Sequence, residues 1–215
     1  MRPLIKLDSM KATMKTLSAI LICCFISTIQ MYGENIQRPE SKNYVKGVEA
    51  LNEGNPEAAY TYLNAEINEH PDNGYAHCYM ALICNFCNDT KLALQALNSS
   101  LELIPEADTE YRSFAHYSRG VLLTNLKMWE RAEADLNEAI RLNPEDVENY
   151  KSRAQLYFET ERYEESLNDL TRALKLDSKA DVNDLVLQLM AVAPTSEFME
   201  RITATYQQLD QVTIH

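Results

Sequence analysis

The sequence predicts an all-α fold, a solenoid of antiparallel helical hairpins. The first observation is a 34-residue period, because residues 40–73, 74–107, 113–146 and 147–180 align with one another. A fixed period of this length indicates stacked supersecondary units. The second is composition, since five glycines in 215 residues are too few for a protein of sheets and turns. The third is the helical spacing of the apolar residues inside each repeat.

Two sets of positions predict how the helices of one repeat pack. Positions 24 and 28 of the repeat are leucine or isoleucine in all four copies, and positions 8 and 20 are always small. Small side chains let two helix axes approach closely, whereas a large one forces them apart. Each repeat is therefore predicted to be a tight helix pair. The small residues are Gly47, Ala81, Gly120 and Ala154 in the first helices, and Ala59, Ala93, Ala132 and Ser166 in the second helices.

Polar residues and prolines predict where these helices end. The turns inside the four repeats are expected at Gly54-Asn55-Pro56, Asn88-Asp89, Lys127 and Glu161-Arg162. The second helices are expected to end before Pro71, Pro105 and Pro144, because proline lacks an amide proton and disfavours helix in the preceding residue. Residues 108–112 separate the second and third repeats, so the next helix is expected to begin early, with Asp108 or Thr109 as its cap.

This column pattern resembles the tetratricopeptide repeat family over residues 40–180. The resemblance implies a right-handed superhelix, and members of that family are used almost entirely to hold other proteins. The first repeat departs from the pattern, with Asn43, Lys46, Glu66 and Glu69 at positions where apolar or small residues are usual. Because a terminal repeat contacts a single neighbour, these polar residues are consistent with a capping role.

Residues 181–215 are predicted to be C-terminal capping helices. A short apolar segment from Val182 to Val192 is stopped by Pro194, after which Thr195 and Ser196 can cap a last helix. The apolar stripe of that last helix consists of Phe198, Ile202, Tyr206 and Leu209. We expect the pair to act as a degenerate fifth hairpin that closes the apolar end of the fourth repeat.

Residues 1–33 are predicted to be a signal peptide, followed by a short linker at 34–39. A basic start and Lys15 precede the apolar stretch 17–29, which has the length of a signal-peptide core and is too short to span a bilayer comfortably. Met14 is the expected true start, and Gly33 is a plausible last residue of the leader. Two alternatives stay open. The leader could remain as an uncleaved anchor, or the lipobox-like residues 21–24 could direct lipidation, although Cys23 stands where a small residue normally precedes the lipidated cysteine.

The net charge of the chain bears on the class of partner that it can bind. The formal net charge of -12 argues against nucleic acid as a partner, because nucleic acid is bound by lysine and arginine clusters.

The cysteines Cys78, Cys84 and Cys87 would remain in the chain after removal of the leader. A strained Cys84–Cys87 disulfide and a metal site formed with His77 are alternatives, but we favour core cysteines, because the matching positions of Cys84 in other repeats are packing positions.

Catalytic motifs are not apparent in the sequence. It contains no His-Glu-x-x-His pair, no glycine-rich phosphate loop and no Gly-x-Ser-x-Gly elbow. His77 and His116 share position 4, where an aromatic packing residue is usual, and we expect both to be structural. The sequence therefore predicts a non-enzymatic protein that needs no metal or other cofactor.

The resemblance implies a binding groove lined by positions 2, 5, 9, 12 and 13 of each first helix. The predicted partner-binding residues are Tyr44, Tyr75, Leu82, Asn85, Phe86, Phe114, Tyr117, Val121, Asn125, Lys151, Gln155 and Phe158. Chaperone-binding members of the family hold a peptide's terminal carboxylate with lysine, asparagine and arginine residues. These residues are absent here, and their positions are occupied by Tyr44, Val48, Tyr79, Phe114 and Ser118. We predict an exported periplasmic or secreted scaffold, with membrane contact only through an uncleaved leader. It would bind a peptide or helical segment of another protein.

Alternatives to this function stay open. Aromatic and amide side chains also suit carbohydrate binding, and the groove or the end repeats could mediate self-association. A further alternative is that several of the aromatic residues only fill space between repeats, or are covered by the leader-proximal segment or the last helix.

Overall fold

The computed structural model describes residues 36–193 and 195–213, and the expected leader lies outside them. These residues contain ten α-helices and no strand, which confirms the all-α prediction. The helices are α1 (Lys42–Asn52), α2 (Pro56–Glu69), α3 (Gly74–Phe86), α4 (Thr90–Leu103), α5 (Thr109–Asn125), α6 (Trp129–Leu142), α7 (Val147–Glu159), α8 (Tyr163–Leu176), α9 (Asn183–Val192) and α10 (Ser196–Thr213).

The chain divides into two compact units within α5. The part up to Tyr111, here unit 1, contains two complete helical hairpins, α1–α2 and α3–α4. The part from Arg112, here unit 2, contains the rest of α5 with α6, the hairpin α7–α8 and the C-terminal helices. The repeat boundaries themselves stay a prediction.

The four turns between paired helices share one hydrogen-bond pattern. After α1, the Gly54 amide donates to the Leu51 carbonyl at 3.0 Å and the Asn55 amide to the Ala50 carbonyl at 2.8 Å. These are the two bonds of a Schellman motif, which requires a left-handed residue just past the helix end. The left-handed residues are Gly54 (φ 70°), Asn88 (φ 58°), Lys127 (φ 57°) and Glu161 (φ 61°). All four lie at the same repeat position, where the sequence predicted the turns.

Side-chain caps fix several helix starts. Asn55, Asn73 and Asp89 each accept a hydrogen bond from the amide three residues later, at 3.0–3.1 Å. Helix α5 begins at Thr109, and Asp108 accepts from the Tyr111 amide at 3.3 Å. The early start predicted for this helix is therefore confirmed.

The small residues at positions 8 and 20 lie at the closest approach of the paired helices. Ala59, Ala93, Ala132 and Ser166 are fully buried. A Cβ atom added to Gly120 would lie 2.7 Å from Leu136 Cγ, closer than such contacts occur. The tight packing predicted from these positions is confirmed.

The C-terminal helices contribute to the core of unit 2. Val186 and Leu189 of α9, with Phe198 and Ile202 of α10, are buried in one cluster with Leu170 of α8. Thr195 Oγ1 accepts from the Phe198 amide at 3.1 Å and so caps α10. Helices α9 and α10 therefore cover apolar surface of α8 that would otherwise meet solvent.

Candidate protein-binding surface

The predicted binding residues of unit 1 differ in exposure. Tyr44 and Tyr75 are only 7% and 5% exposed. Leu82 and Phe86 of α3 are half-buried, and Asn85 between them in the predicted set is exposed. The end of α3 therefore presents an apolar and amide surface to solvent, whereas the two tyrosines belong to the interior of the unit.

The buried tyrosines belong to a cluster of four rings. Tyr75 and Tyr111 pack edge to face with ring centroids 4.9 Å apart, and the hydroxyls of Tyr79 and Tyr111 lie 3.0 Å from each other. Tyr44 packs on Tyr79 at 6.1 Å. Burial raises the pKa of all four hydroxyls, which therefore stay protonated near neutral pH.

Arg38 covers this cluster from the segment that precedes α1. Its Nε donates to Asp108 Oδ2 at 3.1 Å, and its Nη2 donates to Asp108 Oδ1 at 3.2 Å and to Glu110 Oε2 at 2.9 Å. Its Cζ atom lies 4.5 Å from the centroid of the Tyr111 ring. Burial acts to lower the pKa of Arg38, but its bonds with the two carboxylates outweigh burial and raise it. Sequence reasoning missed this contact, since a linker outside the repeat carries no periodic signal.

The three cysteines described by the structure are free thiols. Cys78 and Cys84 are buried in α3, and Cys87 at its end is half-buried. Burial raises the pKa of Cys78 to about 12 and that of Cys84 to about 11, so both are poor thiolates at neutral pH. Within the described ranges, no group of three or more His, Cys, Asp or Glu residues is arranged to hold a metal ion.

The predicted residues of unit 2 are mostly half-buried. Phe114, Tyr117 and Val121 of α5, and Lys151, Gln155 and Phe158 of α7, each keep part of their surface in solvent, and Asn125 is exposed. Phe114 stacks on Tyr117 with centroids 6.3 Å apart. The α5 residues therefore form one aromatic and aliphatic face with an exposed amide at its end.

Two of these aromatic residues are also engaged in packing. Burial raises the pKa of Tyr117, and Ser152 on α7 lies near its hydroxyl. Phe158 packs against the core cluster of unit 2 and lies 5.7 Å from the Tyr163 ring. Both residues therefore stabilise helix contacts in addition to presenting surface.

Lys151 and Gln155 line a cavity of about 190 Å³ near the start of α9. Its other walls are Leu170, Asp181, Val182, Asp184, Leu185 and Gln188. Lys151 Nζ donates to Glu148 Oε1 at 2.8 Å, one turn earlier on α7. Charged and amide groups thus share the walls of this cavity with apolar side chains.

His116 of α5 has a carboxylate partner that the sequence did not reveal. Its Nδ1 lies 2.9 Å from Asp135 Oδ1 and donates to it, since a carboxylate only accepts. Arg119 also donates to Asp135, through Nε at 2.7 Å and Nη2 at 2.8 Å. His77 instead contacts the Pro71 carbonyl at 2.9 Å.

The Asp135 contact has a counterpart in the next repeat. Arg153 donates to Asp169 through Nε and Nη2, each at 2.8 Å. Both ion pairs join repeat positions 7 and 23, so an alignment of the repeats could have predicted them. The shared geometry indicates that these residues hold paired helices together.

Comparison with known proteins identifies the repeat. Models of the tetratricopeptide repeat match residues 113–146 and 148–179. The chain therefore contains tetratricopeptide repeats. Proteins built from this repeat generally mediate protein–protein interactions, and they are typically non-enzymatic scaffolds.

Two curated relatives match parts of the chain. Tetratricopeptide repeat protein 6 of Homo sapiens is 24% identical over 143 residues, which are 66% of this chain and 26% of that protein. A lipoprotein NlpI homolog of Haemophilus influenzae is 30% identical over 87 residues, which are 40% of this chain and 28% of that protein. The chain thus spans about a quarter of the length of these relatives.

Solved structures share the fold. MamA from Desulfovibrio magneticus superimposes with a TM-score of 0.64 at 19% identity, covering 79% of this chain and 94% of that one. A thermophilic repeat protein of Thermus thermophilus gives a TM-score of 0.59 at 18% identity, covering 80% and 90%. Identities this low bear on the fold alone. In the described part of the chain, no helix combines the length and apolar character needed to cross a membrane.

Proposed function

We propose that this protein is a non-enzymatic scaffold of the cell envelope that binds a peptide or a helical segment of another protein. The binding residues are partly exposed side chains of the first helices, above all Leu82 and Phe86 on α3 of unit 1 and, on α5 of unit 2, Phe114 and Val121. Asn85 and Asn125 lie beside them and can bond a partner's backbone.

The observation that carries the proposal is the selective exposure of these positions. Within α3, the flanking residues Ile83 and Cys84 are buried, whereas Leu82 and Phe86 keep surface in solvent. Partly exposed aromatic and aliphatic side chains on a rigid helix provide contact area at a low entropic cost. Interface hot spots are commonly built from such residues.

The envelope location is proposed from the start of the sequence and from one relative. Residues 17–29 have the composition of a signal-peptide core, and the matched Haemophilus influenzae protein is named a lipoprotein. We expect the mature chain to begin near Glu34. Mass spectrometry of the protein from fractionated cells would show this start, whereas an intact N-terminus in the cytosolic fraction would contradict export.

Affinity purification from the native envelope tests binding. The double variant Phe86→Ala/Tyr117→Ala should lose the proteins that the wild type retains. The matched control Tyr60→Ala/Leu187→Ala removes two residues that are 48% and 53% exposed elsewhere, and it should retain them. Circular dichroism melts of all three proteins separate lost binding from lost folding, since truncation of a core aromatic would cost about 3–5 kcal/mol.

The retained material also separates the alternatives. Glycan fragments in place of a protein would indicate carbohydrate binding. Recovery of the chain's own sequence alone would indicate self-association. Equal retention by wild type and double variant, with both folded, would move the binding surface away from α3 and α5.

A further inference from the structure

The acidic site that holds Arg38 is shaped by residues other than Arg38. Asp108 is 1% exposed, and its Oδ2 accepts from the Tyr75 hydroxyl at 3.0 Å. Its Oδ1 accepts from the Tyr111 amide at 3.3 Å. Tyr111 is in turn held by the hydroxyl of Tyr79 and the ring of Tyr75. The carboxylate and the ring are therefore oriented by helices α3 and α5 without help from the segment that covers them.

The geometry of this site selects a guanidinium group. Asp108 receives two parallel hydrogen bonds from Nε and Nη2, which is a fork that an ammonium group cannot supply. Glu110 accepts a third bond, and the face of Tyr111 lies 4.5 Å from the guanidinium carbon. A planar cation that stacks on an aromatic ring while bonding two carboxylates is an arginine side chain.

The resident arginine is carried by a simple extended segment. Residues 36–41 are not helical, and Pro39 follows Arg38, which favours an extended backbone at the arginine. The Arg38 side chain is 25% exposed to solvent, and the Glu110 side chain is 27% exposed. A short linear segment of another protein can therefore present an arginine in the same way.

We infer that Asp108, Glu110, Tyr75 and Tyr111 form a recognition site for an arginine in an extended segment of a partner protein, and that Arg38 is its resident competitor. The inference deepens the proposed function by naming one chemical feature of the partner, and it rests on that function. The chain's net charge of -12 favours a cationic partner segment over an acidic one.

A partner arginine must displace Arg38, which is tethered to the protein. A segment joined directly to α1 competes at an effective concentration in the millimolar range. A partner arginine must therefore be supported by further contacts, which Leu82 and Phe86 on the same helix as Tyr75 can supply. Removal of the Arg38 side chain should open the site to peptides in solution.

Fluorescence anisotropy on the full chain tests the inference. The probe is a labelled peptide with the sequence of residues 36–41, Ile-Gln-Arg-Pro-Glu-Ser, and matched peptides carry Lys or Ala in place of Arg. Arg38→Ala should bind the arginine peptide at least about tenfold more tightly than the wild type does, and the lysine peptide about tenfold more weakly than the arginine peptide. Adding Glu110→Gln to Arg38→Ala should weaken the arginine peptide about tenfold.

Several outcomes would overturn the inference. A folded Arg38→Ala protein that ignores the arginine peptide contradicts it, and so does equal binding of the arginine and lysine peptides. If Arg38→Ala is unfolded at the assay temperature, Arg38→Lys keeps the charge but loses the fork, and it should still bind the arginine peptide more tightly than the wild type does. A folded Arg38→Lys protein that binds the arginine peptide no more tightly than the wild type does would also contradict the inference.

The proposed function has a separate readout. If Phe86→Ala/Tyr117→Ala loses its envelope partners while the peptide assay fails, the scaffold function stands and the arginine site does not. If the peptide binds as expected but the double variant retains every partner, the arginine site stands and the proposed surface is wrong.

Discussion

Single residues in left-handed conformation close the hairpins of this protein. Glycine occupies this position once, whereas Asn88, Lys127 and Glu161 adopt it with side chains. A non-glycine residue in this region is strained by about 1–2 kcal/mol, because its Cβ crowds the following carbonyl. The strain persists because the two Schellman hydrogen bonds recur in each turn and satisfy the carbonyls at the helix end.

Replacing Lys127 by glycine should therefore stabilise unit 2. We expect Lys127→Gly to raise the free energy of unfolding by up to about 1 kcal/mol. The matched control Lys175→Gly lies in the last turn of α8 and should lower it by up to about 1 kcal/mol. Urea unfolding followed by circular dichroism measures both, and destabilisation by Lys127→Gly would contradict the assigned turn.

Sequence reasoning succeeded where a residue type repeats and failed where a contact is made once. The turn positions, the small residues and the start of α5 followed from aligned columns and local capping preferences. The contact of Arg38 with Asp108 and Glu110 did not follow from the sequence, because a single arginine before a helix gives no indication of which carboxylate it binds. The burial of Tyr44 and Tyr75 agrees with the alternative that some of the aromatic residues fill interior space, but the repeat position alone did not show which of them would be covered.

Two kinds of contact hold the helices of each pair together. Small residues such as Ala132 and Gly120 set the distance between axes, and Leu136 fills the space beside them. Ion pairs then join position 7 of the first helix to position 23 of the second in the last two repeats. In the first repeat, Lys46 lies over the Tyr62 ring at 5.3 Å at the same two positions.

Overpacking the closest approach tests the packing of α6. Ala132→Leu should destabilise unit 2 by about 1–3 kcal/mol, because Ala132 is fully buried and the helix must move to admit the larger side chain. Glu138→Leu, on the partly exposed side of the same helix, is the control and should change stability far less. Equal melting temperatures of the two variants in thermal unfolding would contradict the register of the repeat.

Acid should weaken the contact between α5 and α6. Burial acts to raise the pKa of Asp135, but hydrogen bonds from Arg119 and His116 outweigh it and lower that pKa below 3.8. A carboxyl with a depressed folded pKa stabilises the fold above its unfolded value, and this stabilisation is lost as the pH falls through the folded pKa.

The wild type should consequently lose more stability than Asp135→Asn between about pH 5 and about pH 3. Urea unfolding at a series of pH values gives the two curves. Parallel curves for the two proteins would show that Asp135 is not held ionised by its partners.

At the scale of the whole molecule, helical hairpins form the framework on which we propose a binding surface. Contacts between neighbouring helices stabilise the repeats. Partly exposed residues such as Phe86 are therefore available to contact a partner. The fold could be predicted from periodicity and is shared with solved repeat proteins. The partner could not, because fold alone does not specify what a surface binds.

Photo-crosslinking in living cells is the most direct test of this surface. A benzoylphenylalanine residue replaces Phe86 in one strain and the 48% exposed Tyr60 of α2 in another. We expect a covalent adduct with a second protein from position 86, identified by mass spectrometry, and none from position 60. Adducts from position 60 with an unmodified chain at position 86 would contradict the assignment of the binding surface.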